Sequence, residues 1–387
     1  MQHGHTIQFP QGVLKVVPLA ELQNCEAWRR AFHNKCKNHR YYEIVEETVE
    51  GDFDYRYLLL QDGSGKTRAI QPVFFVRQNL IEGVPGKISS IVDRVRKVLP
   101  RFLTMRVLMV GCAAGTGDLS ACDETDELWV ANALQATLST YARNSKASLI
   151  VLKDFPATYR SKLETFPLNG YARIPSMPMT RLPLPYKDWD EYFRTLSKAT
   201  RKDLRRKFRK AEQAPKIEME VVSDITSLVD EIYPLYLAVH ERSSLKFETL
   251  TKDYFRTIGR RMPERARFFI WRQLDKIVAF SFCLVCDDKI YDECIGLDYS
   301  VALDLHLYFY TLRDILSWAL EQGLKYYYSN PLNYEPKLHL DCELVPLDLY
   351  VMHTSPLLNP IFRRLIKYLG PTRHDPVLQR FPNSDQL

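Results

Sequence analysis

The stretch from Arg267 to Met352 constrains the fold most, because strand and helix patterns alternate along it in a definite order. Residues 267–273 alternate bulky apolar with polar side chains, and residues 277–286 form a nearly continuous apolar run, as expected of a strand covered on both faces. Further elements are predicted at 289–299 (strand), 305–322 (helix, ended by Gly323), 324–329 (strand), 334–340 (turn or short helix) and 344–352 (strand). This order predicts an α/β domain built on a mixed sheet.

The amino-terminal half repeats that order without repeating its residues. The predicted elements are strands at 12–19, 55–61, 67–76, 106–110 and 148–152, helices at 22–37, 89–98, 124–144 and 157–165, and an extended edge at 171–184. The second half adds a strand at 217–222 and helices at 225–240 and 252–261. We therefore predict a disordered start (1–12), two similar domains in tandem (13–185 and 186–355) and a tail (356–387).

Composition is consistent with two packed domains in a reducing compartment. The 387 residues are 46% hydrophobic and carry a net charge of +6, which suggests an anionic partner without indicating a nucleic-acid binder. The eight cysteines are not spaced as in a disulfide framework, and the first residues do not have the pattern of a signal peptide. No apolar run reaches the ~18 residues of a membrane span. These features predict a cytoplasmic protein without a transmembrane segment.

A basic segment opens the second domain. Between Trp189 and Ala211 the apolar residues recur every three or four positions, as on one face of a helix. Eight positive side chains lie between Lys198 and Lys210, and like charges at this spacing oppose helix formation unless an anion compensates them. Phosphates of CoA, of a nucleotide-linked sugar, of tRNA or of lipid head groups would serve, and a solvated face is the alternative. We predict that Arg201 and Arg205 face a substrate cleft.

The element order, the segment LSKATRKDLRRK (196–207) and the later Gly323…Tyr334-x-x-Lys337 resemble the Fem-related branch of the GNAT N-acyltransferase superfamily, over about residues 13–355. The resemblance implies two tandem GNAT domains, each with a sheet whose central strands part to admit the donor. It implies transfer of an acyl group to a small-molecule or peptide amine. The donor would be acyl-CoA (acetyl or longer), as in most members, or aminoacyl-tRNA, as in Fem enzymes; no metal is expected.

A glycine-containing loop lies where a GNAT protein places its pyrophosphate loop. It follows the strand at 106–110 and precedes a helix, and its backbone N–H groups could converge on an anion. The acidic residues that follow would repel phosphate, and the equivalent loop of the second domain (299–304) has no glycine. A turn that needs positive φ is therefore the other interpretation. The candidate cofactor-binding residues are Gly111, Gly115 and Gly117.

The strand at 289–299 carries candidate catalytic residues. Unbroken alternation places Glu293 on one face with Tyr291 and Ile295, and Asp292, Cys294, Gly296 and Asp298 on the other. Acylation of an amine needs a base for the ammonium proton, and we predict that Glu293 is that base. Asp298 and Tyr299 are predicted to hold the amine or relay its proton. A paired buried carboxylate is the alternative for this strand.

The loop after the next strand supplies two further catalytic candidates, Tyr334 and Lys337. Tyr334 and Lys337 share one side of a helical turn, and the resemblance implies that the lysine holds a phosphate, a carboxylate or the reacting carbonyl. Asn330 and His306 are added as substrate-binding candidates. The tail helix at 360–369 is predicted to dock on the second domain, with peripheral membrane contact as the alternative. An inactive GNAT-like module that binds an anionic ligand or a membrane surface remains an alternative to an enzyme.

Overall fold

The computed structural model describes residues 6–49, 51–79, 104–243, 246–366, 370, 372 and 375–387. The predicted helix at 89–98 lies outside these residues. The chain forms two compact units: unit 1 comprises 1–46, 50–176 and 347–374, and unit 2 comprises 47–49, 177–346 and 375–387. None of the described helices is both long enough and apolar enough to cross a bilayer.

The strands are, in chain order, β1 (Thr6–Phe9), β2 (Gly12–Val17), β3 (Asp54–Asp62), β4 (Thr67–Asn79), β5 (Thr104–Val110), β6 (Leu149–Pro156), β7 (Ala172–Pro175), β8 (Met179–Pro183), β9 (Ile217–Val222), β10 (Ala266–Gln273), β11 (Lys276–Cys286), β12 (Lys289–Leu297), β13 (Tyr326–Ser329), β14 (Glu343–Val345) and β15 (Leu347–His353). The helices are α1 (Glu26–Arg30), α2 (His39–Thr48), α3 (Glu127–Asn144), α4 (Thr165–Leu168), α5 (Trp189–Thr195), α6 (Lys198–Glu212), α7 (Val229–His240), α8 (Lys252–Arg261), α9 (Leu307–Glu321), α10 (Tyr334–His339) and α11 (Asn359–Ile366).

The two units contain sheets of corresponding order. In unit 1 the order is β1-β2-β3-β4-β5-β6-β15-β7, and in unit 2 it is β9-β10-β11-β12-β13-β8-β14. The strands are antiparallel except for one parallel pair in each sheet, β5 with β6 and β12 with β13. Each parallel pair needs a crossover connection, which α3 supplies in unit 1 and α9 in unit 2. Two mixed α/β domains of the same topology are therefore present, as the sequence predicted.

Each sheet borrows one strand from the other half of the sequence. Strand β8 precedes the basic segment yet pairs with β13 in unit 2, and β15 follows all other strands yet pairs with β6 and β7 in unit 1. The predicted single strand at 344–352 is thus wrong: it is two strands that meet at Pro346 and join different sheets. The predicted boundaries at 185 and 355 differ from the observed units for the same reason.

Several local predictions also need correction. Residues 6–9 were expected to be disordered but form β1, which pairs with β2. The helix predicted at 22–37 is helical only over α1, because Phe32 adopts a left-handed conformation (φ 59°), and α2 follows instead. The single basic helix is two helices, since the chain is extended at Leu196 and the side chain of Ser197 caps α6 by accepting from the Thr200 N–H at 3.1 Å.

Unit 2 packs helices on both faces of its sheet, which explains the continuous apolar run of β11. On one face, α9 and the basic helix α6 cover Phe269 and Trp271. On the other, α7 and α8 cover β11 and β12, and the ring centroids of Phe255 and Phe280 lie 5.8 Å apart. At Gly296 a Cβ atom would meet the Phe280 ring and, at 2.8 Å, the backbone N of Tyr236, so α7 approaches β12 too closely for any other residue.

Candidate functional site

The parallel strands β12 and β13 pair along only part of their length. Their register runs from Lys289 opposite Tyr326 to Asp292 opposite Ser329, and β13 ends there while β12 continues to Leu297. The Asn330 side chain takes up the position after the last pair: its Nδ2 donates to the Glu293 carbonyl at 2.8 Å and to Glu293 Oε2 at 3.2 Å. The two strands therefore part at Glu293, and we call this place the fork.

A β-bulge lies at the fork. On β11, Cys283 is opposite Asp292 and the next residue, Phe282, is opposite Cys294, so Glu293 is the extra residue of β12. The unbroken alternation assumed from the sequence is therefore wrong. Asp292 and Cys294 point to opposite faces, because their partners are neighbours on β11, and Asp292 shares the α9 side of the sheet with Ile295.

Asp292 is a half-buried residue whose carboxyl group is held by hydroxyl donors. Ser281 Oγ donates to its Oδ1 at 2.6 Å, and Tyr327 OH donates to its Oδ2 at 2.7 Å. Burial raises the pKa of Asp292 above its ordinary value, although these two donors and the charge of Lys337 act in the opposite direction. The arrangement fixes β11, β12 and β13 to one another immediately before the fork.

Lys337 is almost completely buried, with 4% of its surface exposed, and holds the chain that leaves β13. Its Nζ donates to the carbonyl of Asn330 and, at 2.8 Å, to that of Leu332. Leu332 and Asn333 both have left-handed backbones (φ 76° and 51°), a conformation that asparagine adopts readily but that is unfavourable for leucine. Burial lowers the pKa of Lys337 to about 8. The lysine thus positions Asn330 at the fork.

Tyr334 has the contacts of a packing residue. Its hydroxyl donates to the Pro178 carbonyl at 2.8 Å, and its ring lies 6.3 Å from that of Phe381. Its ring is also 5.6 Å from Lys337 Nζ, so it borders the fork without presenting its hydroxyl there. Its predicted catalytic role remains a prediction, which these contacts do not favour.

Asp298 and Tyr299 lie at the carboxyl end of β12. Asp298 Oδ2 accepts from Lys276 Nζ at 2.6 Å, and its Oδ1 accepts from the N–H and hydroxyl of Ser300. Although burial acts to raise the pKa of Asp298, these hydrogen bonds lower it overall. Arg242 stacks on the Tyr299 ring at 3.9 Å from its centroid. Asp298 therefore serves as an ionised turn-forming group, and a proton-accepting role fits Glu293 better.

The loop from Asp298 to His306 leads into the amino terminus of α9, and the basic helix α6 lies beside it. Lys207 Nζ lies 3.6 Å from the centroid of the Phe309 ring, and Lys210 Nζ lies 3.7 Å from Asp304. His306 occupies the N-cap position, and its pKa is lowered by burial and by the nearby positive charges of α6. The amino end of a helix is itself electropositive, so this corner of unit 2 favours an anion.

The two arginines predicted to face a cleft have other surroundings. Arg201 Nη1 donates to the Arg194 carbonyl at 2.7 Å and to the Leu196 carbonyl, which closes the carboxyl end of α5. Arg205 is exposed and lies over the Phe193 ring at 5.1 Å. Arg201 thus has a structural role in the fold, and substrate binding by either residue remains a prediction.

The glycine loop of unit 1 packs against β6. The Gly117 N–H donates to the Asp154 carbonyl at 3.0 Å, and the Gly111 N–H donates to the Pro72 carbonyl at 3.3 Å. The carbonyl of Gly115 accepts from Lys153 Nζ at 3.0 Å. Two of the three glycine N–H groups are thus used within the protein. Phosphate binding at this loop remains a prediction, and the geometry favours the alternative of a turn, with Gly111 at φ 129°.

Sequence reasoning missed the group formed by Ser281, Asp292 and Tyr327. A polar residue in each of three adjacent apolar strands was a usable signal, since buried polar side chains need partners. Their convergence could not be predicted, because it depends on the bulge at Glu293 and on the register between β12 and β13.

Comparisons with known proteins agree with this geometry. Residues 198–335 match the family model described as an acetyltransferase (GNAT) domain. A solved C-terminal domain of a lysylphosphatidylglycerol synthetase from Agrobacterium fabrum is similar at 13% identity (TM-score 0.51), covering 90% of this chain and 96% of that chain. The FemX structure is similar at 12% identity (TM-score 0.51), covering 85% and 94% respectively. A Bacteroides thetaiotaomicron protein of unknown function is similar at 13% identity (TM-score 0.50), covering 87% and 97%.

A search of curated proteins finds no match. The matched segment contains the basic helix α6, the fork and the start of α10, so it coincides with the candidate site of unit 2. The chain has a tandem GNAT-like fold, as predicted from the sequence, and the family match over residues 198–335 supports an acyltransferase domain there.

Proposed function

We propose that this protein transfers an acyl group from acyl-CoA to an amine acceptor, and that the reaction takes place at the fork of unit 2. The observation that carries the proposal is the parting of β12 from β13 at Glu293. Within the part of the chain that the structure describes, no strand pairs with the β13-facing edge of β12 from Cys294 to Leu297. An extended donor chain with amide groups can bind such an edge as an added strand would.

The anionic end of the donor fits the corner formed by α6 and the amino end of α9. There the helix dipole and the lysines of α6 act in the same direction, and Asp203 and Asp304 offset them only in part. CoA carries several phosphate charges, which this corner would bind by charge-assisted hydrogen bonds. We therefore assign the donor to unit 2, in preference to the glycine loop of unit 1.

Glu293 is the proposed general base. It accepts one proton from the acceptor ammonium, and the neutral amine then attacks the thioester carbonyl carbon. The C–N bond forms, the C–S bond breaks, and the second amine proton goes to the departing CoA thiolate, which yields amide and CoA thiol. Asn330 and Lys337 act as positioning residues, because the first contacts Glu293 and the second holds the backbone of the first.

An aminoacyl group is the second candidate for the transferred group. The name of the Agrobacterium fabrum protein refers to synthesis of a lysylated lipid, and the FemX structure shares the tandem fold. The donor would then be aminoacyl-tRNA, which presents the phosphates of tRNA in place of those of CoA. The same basic corner would bind them, so the two donors must be separated by experiment.

Calorimetric titration with acetyl-CoA tests the proposal. We expect binding by the wild type, and we expect affinity about tenfold weaker for Arg206→Ala/Lys210→Ala, since exposed charge contacts to phosphate are each worth roughly 0.5–1 kcal/mol. Lys216→Ala is the matched control: Lys216 is an exposed lysine of the same unit, paired with Glu218 on the adjacent strand β9. Binding of charged tRNA without binding of acetyl-CoA would favour the second candidate. Binding of neither would contradict both.

A further inference from the structure

The end of unit 1 carries an exposed apolar surface that its own core does not use. Helix α11 is amphipathic, and its inward side is fixed by Phe362, whose ring lies 5.9 Å from that of His353 on β15. Next to Phe362 the apolar surface continues onto the exposed side, where Leu358, Ile361 and Leu365 follow one another at helical spacing. We define the tail-helix face as these side chains and two neighbours, with their exposed fractions: Leu358 (52%), Ile361 (61%), Leu365 (57%), Leu357 (86%) and Leu168 (83%).

Leu168 is a further exposed leucine, on a separate element of the same unit. It ends α4, and α4 is held beside α11 by two hydrogen bonds. Asn359 Nδ2 donates to the Gly170 carbonyl at 2.9 Å, and Arg363 Nη2 reaches the Pro167 carbonyl at 3.4 Å. The exposed leucines are thus attached to folded structure on two sides. Exposed apolar side chains grouped in this way on a folded domain mark an interaction site.

The charges around the face identify the kind of partner. Arg363 and Arg364 lie on α11 itself, and the sequence from Ser355 to Thr372 contains basic but no acidic residues. A surface made of leucine and isoleucine with arginines along its border matches the boundary between acyl chains and anionic head groups. A protein groove of neutral or basic character would leave these arginines without compensating charge.

We propose that the tail-helix face docks on a lipid bilayer that contains anionic lipid, with the leucines and Ile361 entering the head-group boundary and the exposed Arg364 contacting phosphates. The attachment is peripheral and reversible, because one helical face with a few apolar side chains supplies far less binding energy than a membrane span. This surface lies in unit 1, and the proposal is independent of the reaction assigned to unit 2.

Cosedimentation of the full chain with vesicles tests the proposal. We expect binding to vesicles that mix phosphatidylglycerol with phosphatidylcholine and much weaker binding to pure phosphatidylcholine. Ile361→Ser/Leu365→Ser should weaken binding about tenfold or more, because two side chains lose their burial in the bilayer. Arg364→Ser should weaken it roughly fivefold at low salt. Leu128→Ser is the matched control, since Leu128 is 52% exposed on α3 of the same unit, and it should bind as the wild type does.

Three results would overturn the proposal. The first is absence of vesicle binding, or equal binding by wild type and the Ile361→Ser/Leu365→Ser protein. The second is a dimer in sedimentation without lipid that the same double variant dissociates, which would assign the face to a second copy of the chain. The third is a fall of several degrees in the melting temperature of the double variant without lipid, because a face already covered by another part of the chain would lose that packing.

Discussion

The two units share a strand order but differ where their parallel strands end. In unit 1, β5 pairs with β6 up to Val110 opposite Leu152, and the glycine loop that follows then packs on β6, with Gly117 bonded to the Asp154 carbonyl. In unit 2, β12 continues for five residues beyond its last pair with β13, and the side chain of Asn330 reaches across. In unit 1, the backbone of the glycine loop therefore occupies the place beyond the parallel pair. In unit 2, the corresponding place lies at the bulge of β12, and a side chain reaches across it.

The difference shows that the fold alone does not create a site. In unit 1 the loop uses its own N–H groups on protein carbonyls, so little hydrogen-bonding capacity remains for a donor. In unit 2 the bulge places the Glu293 carboxylate at the fork, where β12 continues past the end of β13. We therefore expect substitutions at the fork to change the reaction, and substitutions in the glycine loop to change stability.

The largest effect is expected for Glu293→Gln. Removal of a general base lowers turnover by roughly 10²- to 10⁴-fold. The measurement is CoA release with a panel of amines, and the matched control is Glu321→Gln, an exposed position at the end of α9. Acetyl-CoA affinity should change little. A Glu293→Gln protein with wild-type turnover would remove the base assignment.

Gly117→Ala tests unit 1. A Cβ atom there would collide with the Lys153 carbonyl and the Phe155 ring, and overpacking of this kind costs about 1–3 kcal/mol or more of unfolding free energy. We expect a lower denaturant midpoint, with acetyl-CoA affinity of the folded fraction unchanged. Gly115→Ala is the control, because its Cβ meets only the flexible end of Lys37, at 3.0 Å from Nζ. Loss of acetyl-CoA binding in a stable Gly115→Ala protein would move the donor site to unit 1.

Lys337→Met removes the two donors that hold Asn330 and Leu332. Two partly buried carbonyls lose the partner that Lys337 gives them, so we expect a loss of about 1–3 kcal/mol in unfolding free energy. The turnover number should fall more than donor affinity, because the fork loses the placement of Asn330. Leu332→Gly should recover part of the stability by relieving the left-handed backbone at φ 76°. Unchanged stability and turnover in Lys337→Met would show that the loop after β13 keeps its conformation without the lysine.

The same lysine predicts a pH dependence. Its pKa is about 8 in the folded protein, because of burial, against 10.5 for the ordinary group. Between these values the unfolded chain binds more protons, so the contribution of Lys337 to stability rises with pH, by up to about 3 kcal/mol. The check is the difference in unfolding free energy between wild type and Lys337→Met, measured from pH 7 to pH 10. If this difference in unfolding free energy did not change with pH, the lowered pKa of the buried Lys337 would be contradicted.

Much of the fold was accessible from the sequence because its signals are local. The apolar run of β11, the turn before β12 and the glycine after α9 mark elements without reference to the rest of the chain. Helix α2 could also have been found, since Tyr41, Tyr42, Ile44 and Val45 are all buried at helical spacing.

What could not be predicted depends on pairing between distant segments. The sequences of β8 and β15 do not indicate which sheet each strand joins, because an apolar strand can pair within either sheet. The bulge at Glu293 is a property of register, and it places Asp292 and Cys294 on opposite faces although the sequence predicted that they share one. The side-chain directions assigned along β12 were therefore wrong, and the roles assigned to its residues remain predictions.

Amide hydrogen exchange with and without acetyl-CoA tests the central claim most directly, because it reports on both units at once. The account predicts added protection at residues 293–297 and at the start of α9, with residues 107–117 of unit 1 unchanged. Added protection at the glycine loop, with none along the end of β12, would contradict it.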